Sequence, residues 1–181
     1  MKTSSRHSSS PTPASFLVMG VSGSGKSHIG RQLAAELGAL FIDGDDFHSE
    51  ESIAKMSGGA PLTDADREGW LRTLSELYRQ HRERNETLVI GCSALKRGYR
   101  DLLRQGAPEL EILYLSGTRA VLLERLNSRG EHFFAGEHML LNQLETLEVP
   151  DEDEAIHCDI RQMPRQIVMS FLDQRSARRG Q

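Results

Sequence analysis

Gly20-Val21-Ser22-Gly23-Ser24-Gly25-Lys26-Ser27 matches the pattern GxxxxGK[ST] and directly follows the apolar run Phe16-Leu17-Val18-Met19. Behind it, Ile29, Leu33, Leu37 and Leu40 recur at helical spacing, so the octapeptide reads as a strand-to-helix turn. That context separates it from a chance Gly/Ser-rich turn. Gly20, Gly23 and Gly25, with Ser22 and Ser24 between them, let the backbone fold into a nest of N–H donors around a polyphosphate where the next helix begins. Lys26 supplies a mobile charge for the β- and γ-phosphate oxygens, and the Ser27 hydroxyl is placed to ligate a bridging Mg²⁺. The pattern therefore implies a nucleoside triphosphate as ligand.

A chain of 181 residues with 38% hydrophobic content is sized for one domain with one core. Its formal net charge of −4 carries no basic excess, which argues against nucleic acid or a membrane surface as partner and for a small molecule. Cys92 and Cys158 have no metal-ligand or CxxC spacing, so a disulfide framework is not expected and a reducing cytoplasm fits. Residues 1–14, MKTSSRHSSSPTPA, are Ser- and Pro-rich, lack a hydrophobic centre and read as a disordered tail, with the domain spanning 15–181.

Short apolar runs then alternate with helical patterns, the mark of parallel strands joined by crossover helices. Strands are expected at Phe16–Met19, Leu40–Ile42, Leu88–Gly91, Ile112–Leu115 and Ala155–Cys158. Helices are expected after the phosphate-binding turn, where Gly38 is the C-cap, and at Ser52–Met56, Asp64–Arg84, Lys96–Gln105, Thr118–Arg129, Glu137–Glu145 and Pro164–Arg178. No internal repeat is present. The fold class is a doubly wound α/β domain with ligands gathered at the carboxyl ends of the strands.

The second strand runs into Asp43-Gly44-Asp45-Asp46. In an extended segment, positions i and i+2 share a face, so Asp43 and Asp45 can divide two tasks between them, holding Mg²⁺ and accepting a proton from an attacking hydroxyl. An acidic turn capping the next helix is the other reading, and it fits Asp46 at least as well. No His or Cys spacing suggests another metal. Asp151-Glu152-Asp153-Glu154 reads as a solvated loop, and Arg175–Arg179 as a frayed helix end.

With these residues in place, a resemblance emerges. GVSGSGKS, FIDGDDFH, KMSGGAPLTDADREGWL, CSALKRGYRD and NQLETLE, in this order and spacing, resemble the gluconate kinase family of P-loop carbohydrate kinases from about Phe16 to Pro150. The resemblance implies a five-stranded parallel sheet flanked by helices like that of shikimate and nucleoside monophosphate kinases, with a mobile lid at about 130–142. It also implies transfer of the ATP γ-phosphoryl group to the 6-hydroxyl of gluconate, and, in many members, a homodimer. Gluconate offers a carboxylate and a row of hydroxyls. Arg67 is then a candidate for a bidentate grip on the carboxylate, the alternative being a helix charge paired with Asp64 or Glu68. Asp45 and His48 are candidates for the hydroxyls. Ser93 follows the third strand, with Lys96 and Arg100 adding positive charge where Cys92–Lys96 is expected to open a helix. Cys92 reads as packing, because this chemistry needs no covalent intermediate.

Arg125 and Arg129 stand four apart before the segment Gly130–Gly136, which reads as a lid hinge. They can swing over the triphosphate and stabilise charge on the γ-phosphoryl oxygens, or serve only the helix macrodipole. The lid departs from the family pattern at Glu131, Ala135 and Asn142, and His28 stands where Thr is usual. Two other readings are a kinase for another acceptor, shikimate-like or a nucleoside monophosphate, and a nucleotide-binding switch. The chain carries neither the Gly-Gly-Gly turn expected of a shikimate reader nor an Asn-Lys-x-Asp base-reading motif.

Overall fold

Five short apolar runs form the strands β1 Ser15–Met19, β2 Leu40–Asp43, β3 Leu88–Gly91, β4 Glu111–Ser116 and β5 Ile156–Asp159 of a computed structural model that describes residues 12–128 and 133–181. They make one parallel sheet in the order β2-β3-β1-β4-β5. β1 is central, with Leu17 registered on Ile90 of β3 and Ile112 of β4, and all five of its residues are buried. Helices cover both faces of such a sheet, which explains why β1 and β3 are continuously apolar and not alternating.

The crossover helix α1, Lys26–Leu37, turns its buried Ile29, Gly30, Leu33 and Ala34 toward the sheet and ends at Gly38, whose N–H reaches the Ala34 and Ala35 carbonyls. It lies very close to β2. A Cβ added at Gly30 would fall 2.3 Å from the Phe41 ring, so only glycine permits this approach.

The polar insertion after β2 begins with an unexpected 3₁₀ turn, Gly44–Phe47, capped by the Asp43 carboxylate. It continues into α2, Glu50–Ser57, capped by Ser49, and α3, Asp64–Glu83, opened by a capping box between Thr63 and Asp66. Lys55 ties the two helices together through Asp66 at 2.7 Å. α3 buries Trp70, Leu71, Leu74 and Tyr78, and the Tyr78 hydroxyl donates to the Phe16 carbonyl of β1 at 2.7 Å. The insertion is thus anchored to the centre of the sheet.

The remaining helices are α4 Arg97–Gly106, α5 Arg119–Asn127, α6 Phe133–Thr146 and α7 Pro164–Arg179. Strand order departs in opposite directions from β1: the chain goes from β1 to β2 on one side and from β4 to β5 on the other. The loops after β1 and β4 therefore diverge and leave a crevice at their carboxyl ends. α4 starts at Arg97 instead of Lys96, because Ala94 adopts a left-handed conformation with φ 45° that no helix continues through. α6 starts at Phe133, inside the segment expected to be a hinge. Leu140 is buried and Leu144 partly so, one turn apart on the face that seats the helix, and Gly136 costs it only about 1 kcal/mol relative to alanine. Arg129 and the first residues of the expected hinge lie outside the described residues.

The two charged stretches near the C-terminus are also more ordered than expected. Glu154 is not solvated: its side chain is 5% exposed and takes hydrogen bonds from Arg100 at 2.7 Å and Arg104 at 2.9 Å. Arg175 and Arg179 pair with Glu111 at 2.7 and 3.6 Å, so α7 continues through Arg179 with its basic end anchored.

Candidate active site

The phosphate loop, residues 20–25, closes on itself through Ser24 N–H to the Val21 carbonyl at 3.2 Å and then passes into α1. Gly25 caps α1 in the left-handed region, φ 97°, where a Cβ is strained and no side chain competes for the first amides. The first turn of α1 contains no acidic residue. Its orphan N–H groups and positive dipole end face the crevice, ready for an anion. Ser24 Oγ is buried with no hydrogen-bond partner among the described residues, and it fills the space where a Gly20 Cβ would stand. The Ser22 N–H is held at 2.6 Å by the side-chain oxygen of Gln143 from α6.

Lys26 curls back so that Nζ donates to the Val21 carbonyl at 3.1 Å. Burial lowers its pKa, and Asp45, Cys92 and Asp43 oppose that shift. The Ser27 hydroxyl donates to Asp43 Oδ2 at 2.8 Å, while Asp43 Oδ1 accepts the Asp45 N–H at 3.0 Å. Both Asp43 oxygens are therefore engaged. The strand ends at Asp43, so the shared-face argument for Asp43 and Asp45 does not hold; the 3₁₀ turn swings Asp45 out, leaving its carboxylate open to the cavity. The neighbouring His48 ring, Nε2 3.6 Å from Asp45 Oδ1, holds the Asp45 carboxyl below its usual range; burial opposes this and the Lys26 charge adds to it.

The His48 side chain is only 7% exposed, stacks on Trp70 with 4.0 Å between ring centres, and leaves Nδ1 buried without a partner among the described residues. Trp70 in turn donates its indole N–H to the Gly44 carbonyl at 2.7 Å, fixing the 3₁₀ turn on α3. Sequence reasoning singled out His48 but not Trp70. The available signal was its place one turn after Arg67 on α3, which puts both on one helix face.

These groups surround a cavity of about 730 Å³. Lys26, Ser27, Asp43, Asp45, His48, Arg67, Trp70 and Ser93 all line it. α6 contributes His138, Met139, Asn142 and Gln143, a face that sequence reasoning did not assign. Their i, i+1, i+4, i+5 spacing was the signal for it.

Arg67 has no carboxylate partner among the described residues. Glu68 pairs with Arg72 at 2.7 Å, and Asp64 accepts from Lys96 at 3.1 Å, so both carboxylates that could have neutralised it are engaged elsewhere. Its Nη1 donates to the Tyr99 hydroxyl at 3.0 Å. The Tyr99 hydroxyl donates to Asp64, and this bond, then Lys96, lowers the Asp64 carboxyl pKa.

Three expected contributions need correction. Lys96 turns to Asp64 and is not on the cavity wall. Arg100 is 1% exposed and is used up by Glu154 and by the carbonyls of Ala94, Leu95 and Glu148, which leaves nothing to offer a substrate. The amide of Arg97 at the start of α4 is bonded to Glu148 at 2.9 Å, so that helix end is not an open anion site. Cys92 is fully buried with its thiol pushed up to about 12 by desolvation, which suits packing and not nucleophilic attack.

Arg125 donates to the Ile160 carbonyl, with Nη1 4.0 Å from the position of a Cβ on Gly25, so its guanidinium borders the phosphate loop. Among the described residues no cluster of three or more His, Cys, Asp or Glu side chains could hold a metal. No described helix is long and apolar enough to cross a membrane.

Comparison with known proteins finds relatives over most of the chain. The family described as AAA domain matches residues 16–150. The thermoresistant gluconokinase of Escherichia coli K12 is 43% identical over 160 residues, covering 87% of this chain and 91% of the relative. Among solved structures, a gluconokinase from Sinorhizobium meliloti 1021 superposes with TM-score 0.77 at 45% identity over 90% of this chain and 91% of its own. A sugar kinase from Janibacter sp. HTCC2649 does so with TM-score 0.82 at 44% identity, covering 89% and 95%. Shikimate kinase from Acinetobacter baumannii, 19% identical with TM-score 0.58, shares the fold.

Proposed function

The chain belongs to the AAA domain family and, more narrowly, to the gluconokinases, and from that membership we propose that it transfers the γ-phosphoryl group of ATP to the 6-hydroxyl of gluconate. The observation that carries the reading is the shared cavity, which is lined by the phosphate loop, by an open carboxylate, Asp45, and by Arg67, a cation with no carboxylate partner among the described residues.

In this reading the loop amides, Lys26 and Arg125 hold the triphosphate and neutralise charge that builds on the γ-phosphoryl group, and Arg129, which precedes the lid in sequence, is the second arginine for that task. Arg67 takes the gluconate carboxylate. Asp45 and His48 take the hydroxyls nearest the phosphate, and Ser93 a further one. The 6-oxygen then forms a bond to the γ-phosphorus as the bond from that phosphorus to the β,γ-bridging oxygen breaks. The electron pair leaves with ADP, and the hydroxyl proton passes to Asp45, whose carboxylate the His48 ring and Lys26 keep ionised.

Ser27 and Asp43 suit Mg²⁺, an ion usually bound through one or two protein oxygens with the rest supplied by phosphates and water. When bound, Mg²⁺ would neutralise phosphate charge. The lid at about 130–142 is supported by the α6 face on the cavity, and cytoplasmic residence by two buried free cysteines. A homodimer is part of the same reading.

The test is a coupled ADP-release assay with gluconate, shikimate and nucleoside monophosphates as acceptors. Turnover that depends on gluconate supports the proposal; turnover of shikimate without gluconate overturns it.

A further inference from the structure

Arg67, Tyr99, Asp64 and Lys96 form one chain of hydrogen bonds at the edge of the cavity, and only the first of them lines it. The Tyr99 oxygen accepts from Arg67 Nη1 at 3.0 Å and its O–H donates a hydrogen bond to Asp64, which also accepts from Lys96 Nζ at 3.1 Å. Both cations lie against the same phenol ring, Arg67 at 5.5 Å and Lys96 at 5.6 Å from its centre. The ring is almost fully buried between α3 and α4, so it is a fixed anchor.

Interposing a neutral hydroxyl between Arg67 and Asp64 has a specific consequence. A guanidinium in direct bidentate contact with a carboxylate would be held in place but neutralised, and its paired N–H groups would be spent. Here one N–H goes to the phenol oxygen, which is made a better acceptor by donating its own hydrogen bond to Asp64. The other donors of the fork have no hydrogen-bond partner among the described residues. Lys96 meanwhile compensates Asp64, so the cluster of two cations and one carboxylate keeps one net positive charge for the cavity.

We infer that Tyr99 is a positioning residue for acceptor recognition: relayed through its hydroxyl to Asp64, it aims the Arg67 guanidinium at the carboxylate of the acceptor without neutralising it. This rests on the proposed role of Arg67 as the carboxylate grip.

The test measures steady-state kinetics of the full chain for Tyr99→Phe, Arg67→Met and the double variant. Phenylalanine keeps the ring and both cation–π contacts and removes only the relay. A hydrogen bond to a charged group corresponds to roughly a tenfold effect. Tyr99→Phe should raise KM for gluconate about tenfold, with kcat and KM for ATP within about twofold. In the Arg67→Met background the same change should move KM for gluconate by less than about twofold, because the group it aims is gone. A full effect in that background, or a loss spread over kcat and both KM values, marks a general structural role and overturns the inference. Arg67→Met with a raised KM beside a silent Tyr99→Phe overturns the tyrosine role alone; a silent Arg67→Met overturns the carboxylate grip itself. Should Tyr99→Phe not fold, Asp64→Ala removes the hydrogen-bond acceptor and must reproduce the same split.

Discussion

The hydroxyl of Ser27 donates to Asp43 Oδ2 across 2.8 Å, joining the first turn of α1 to the end of an edge strand two positions away in the sheet. With β3 lying between β1 and β2, α1 packs against both β3 and β2, and its first turn meets the end of β2. This contact sets the two oxygen ligands of the proposed Mg²⁺ site side by side before nucleotide arrives. Ser27→Ala should raise the Mg²⁺ concentration for half-maximal activity about tenfold, on the scale of one lost charge-assisted contact, while thermal stability changes little. Titrating Mg²⁺ at fixed ATP checks it.

Asp45 differs from Asp43 in having its carboxylate open to the cavity. Replacing it by asparagine keeps the shape and removes the proton acceptor. The kcat of Asp45→Asn should fall by about 10²- to 10⁴-fold with KM for ATP nearly unchanged, because in this reading the loop amides, Lys26 and Arg125 hold the triphosphate and Asp45 does not. Near-normal turnover would assign the proton to another group.

The capping box of α3 carries a pH signature. Asp66, held by Lys55 and then by the Thr63 amide and hydroxyl, has its pKa lowered from 3.8 to about 2. Since the folded value is the lower one, the unfolded chain binds more protons between the two values. The contribution of Asp66 is therefore complete above about pH 4 and is lost as pH falls toward 2. Urea midpoints for the natural protein and Asp66→Ala should differ at pH 6 and converge as pH approaches 2.

Arg100 offers the opposite contrast, a charge with a purely structural role. Its side chain and that of Glu154 are 1% and 5% exposed and meet at 2.7 Å. Removing one partner strands the other, so Arg100→Met should lower unfolding free energy by about 3 kcal/mol, with kcat/KM of the folded fraction within about threefold of the natural protein. Urea unfolding with parallel kinetics measures both.

What was legible in the sequence divides along chain separation. The strands, the phosphate loop and the Gly38 cap depend on neighbours within one or two turns, and local period and glycine placement report those directly. Arg100 meets Glu154 54 residues away, and Ser22 meets Gln143 across 121 residues, so neither contact leaves a local pattern. Even so, Arg100 carried a readable warning: it precedes the buried Leu103 by three positions on α4 and so faces the core with it. The 3₁₀ turn after β2 was hidden for another reason. Asp43 caps it with its own side chain, and an Asp-Gly-Asp-Asp run is equally compatible with extended chain until the cap is seen.

Where the phosphoryl group ends up tests the central claim most directly. The product of a reaction with ATP and gluconate, analysed by ³¹P–¹H correlation, should show phosphorus coupled to the two protons on carbon 6 and to no others. Coupling to a different carbon, or inorganic phosphate alone, would contradict the account.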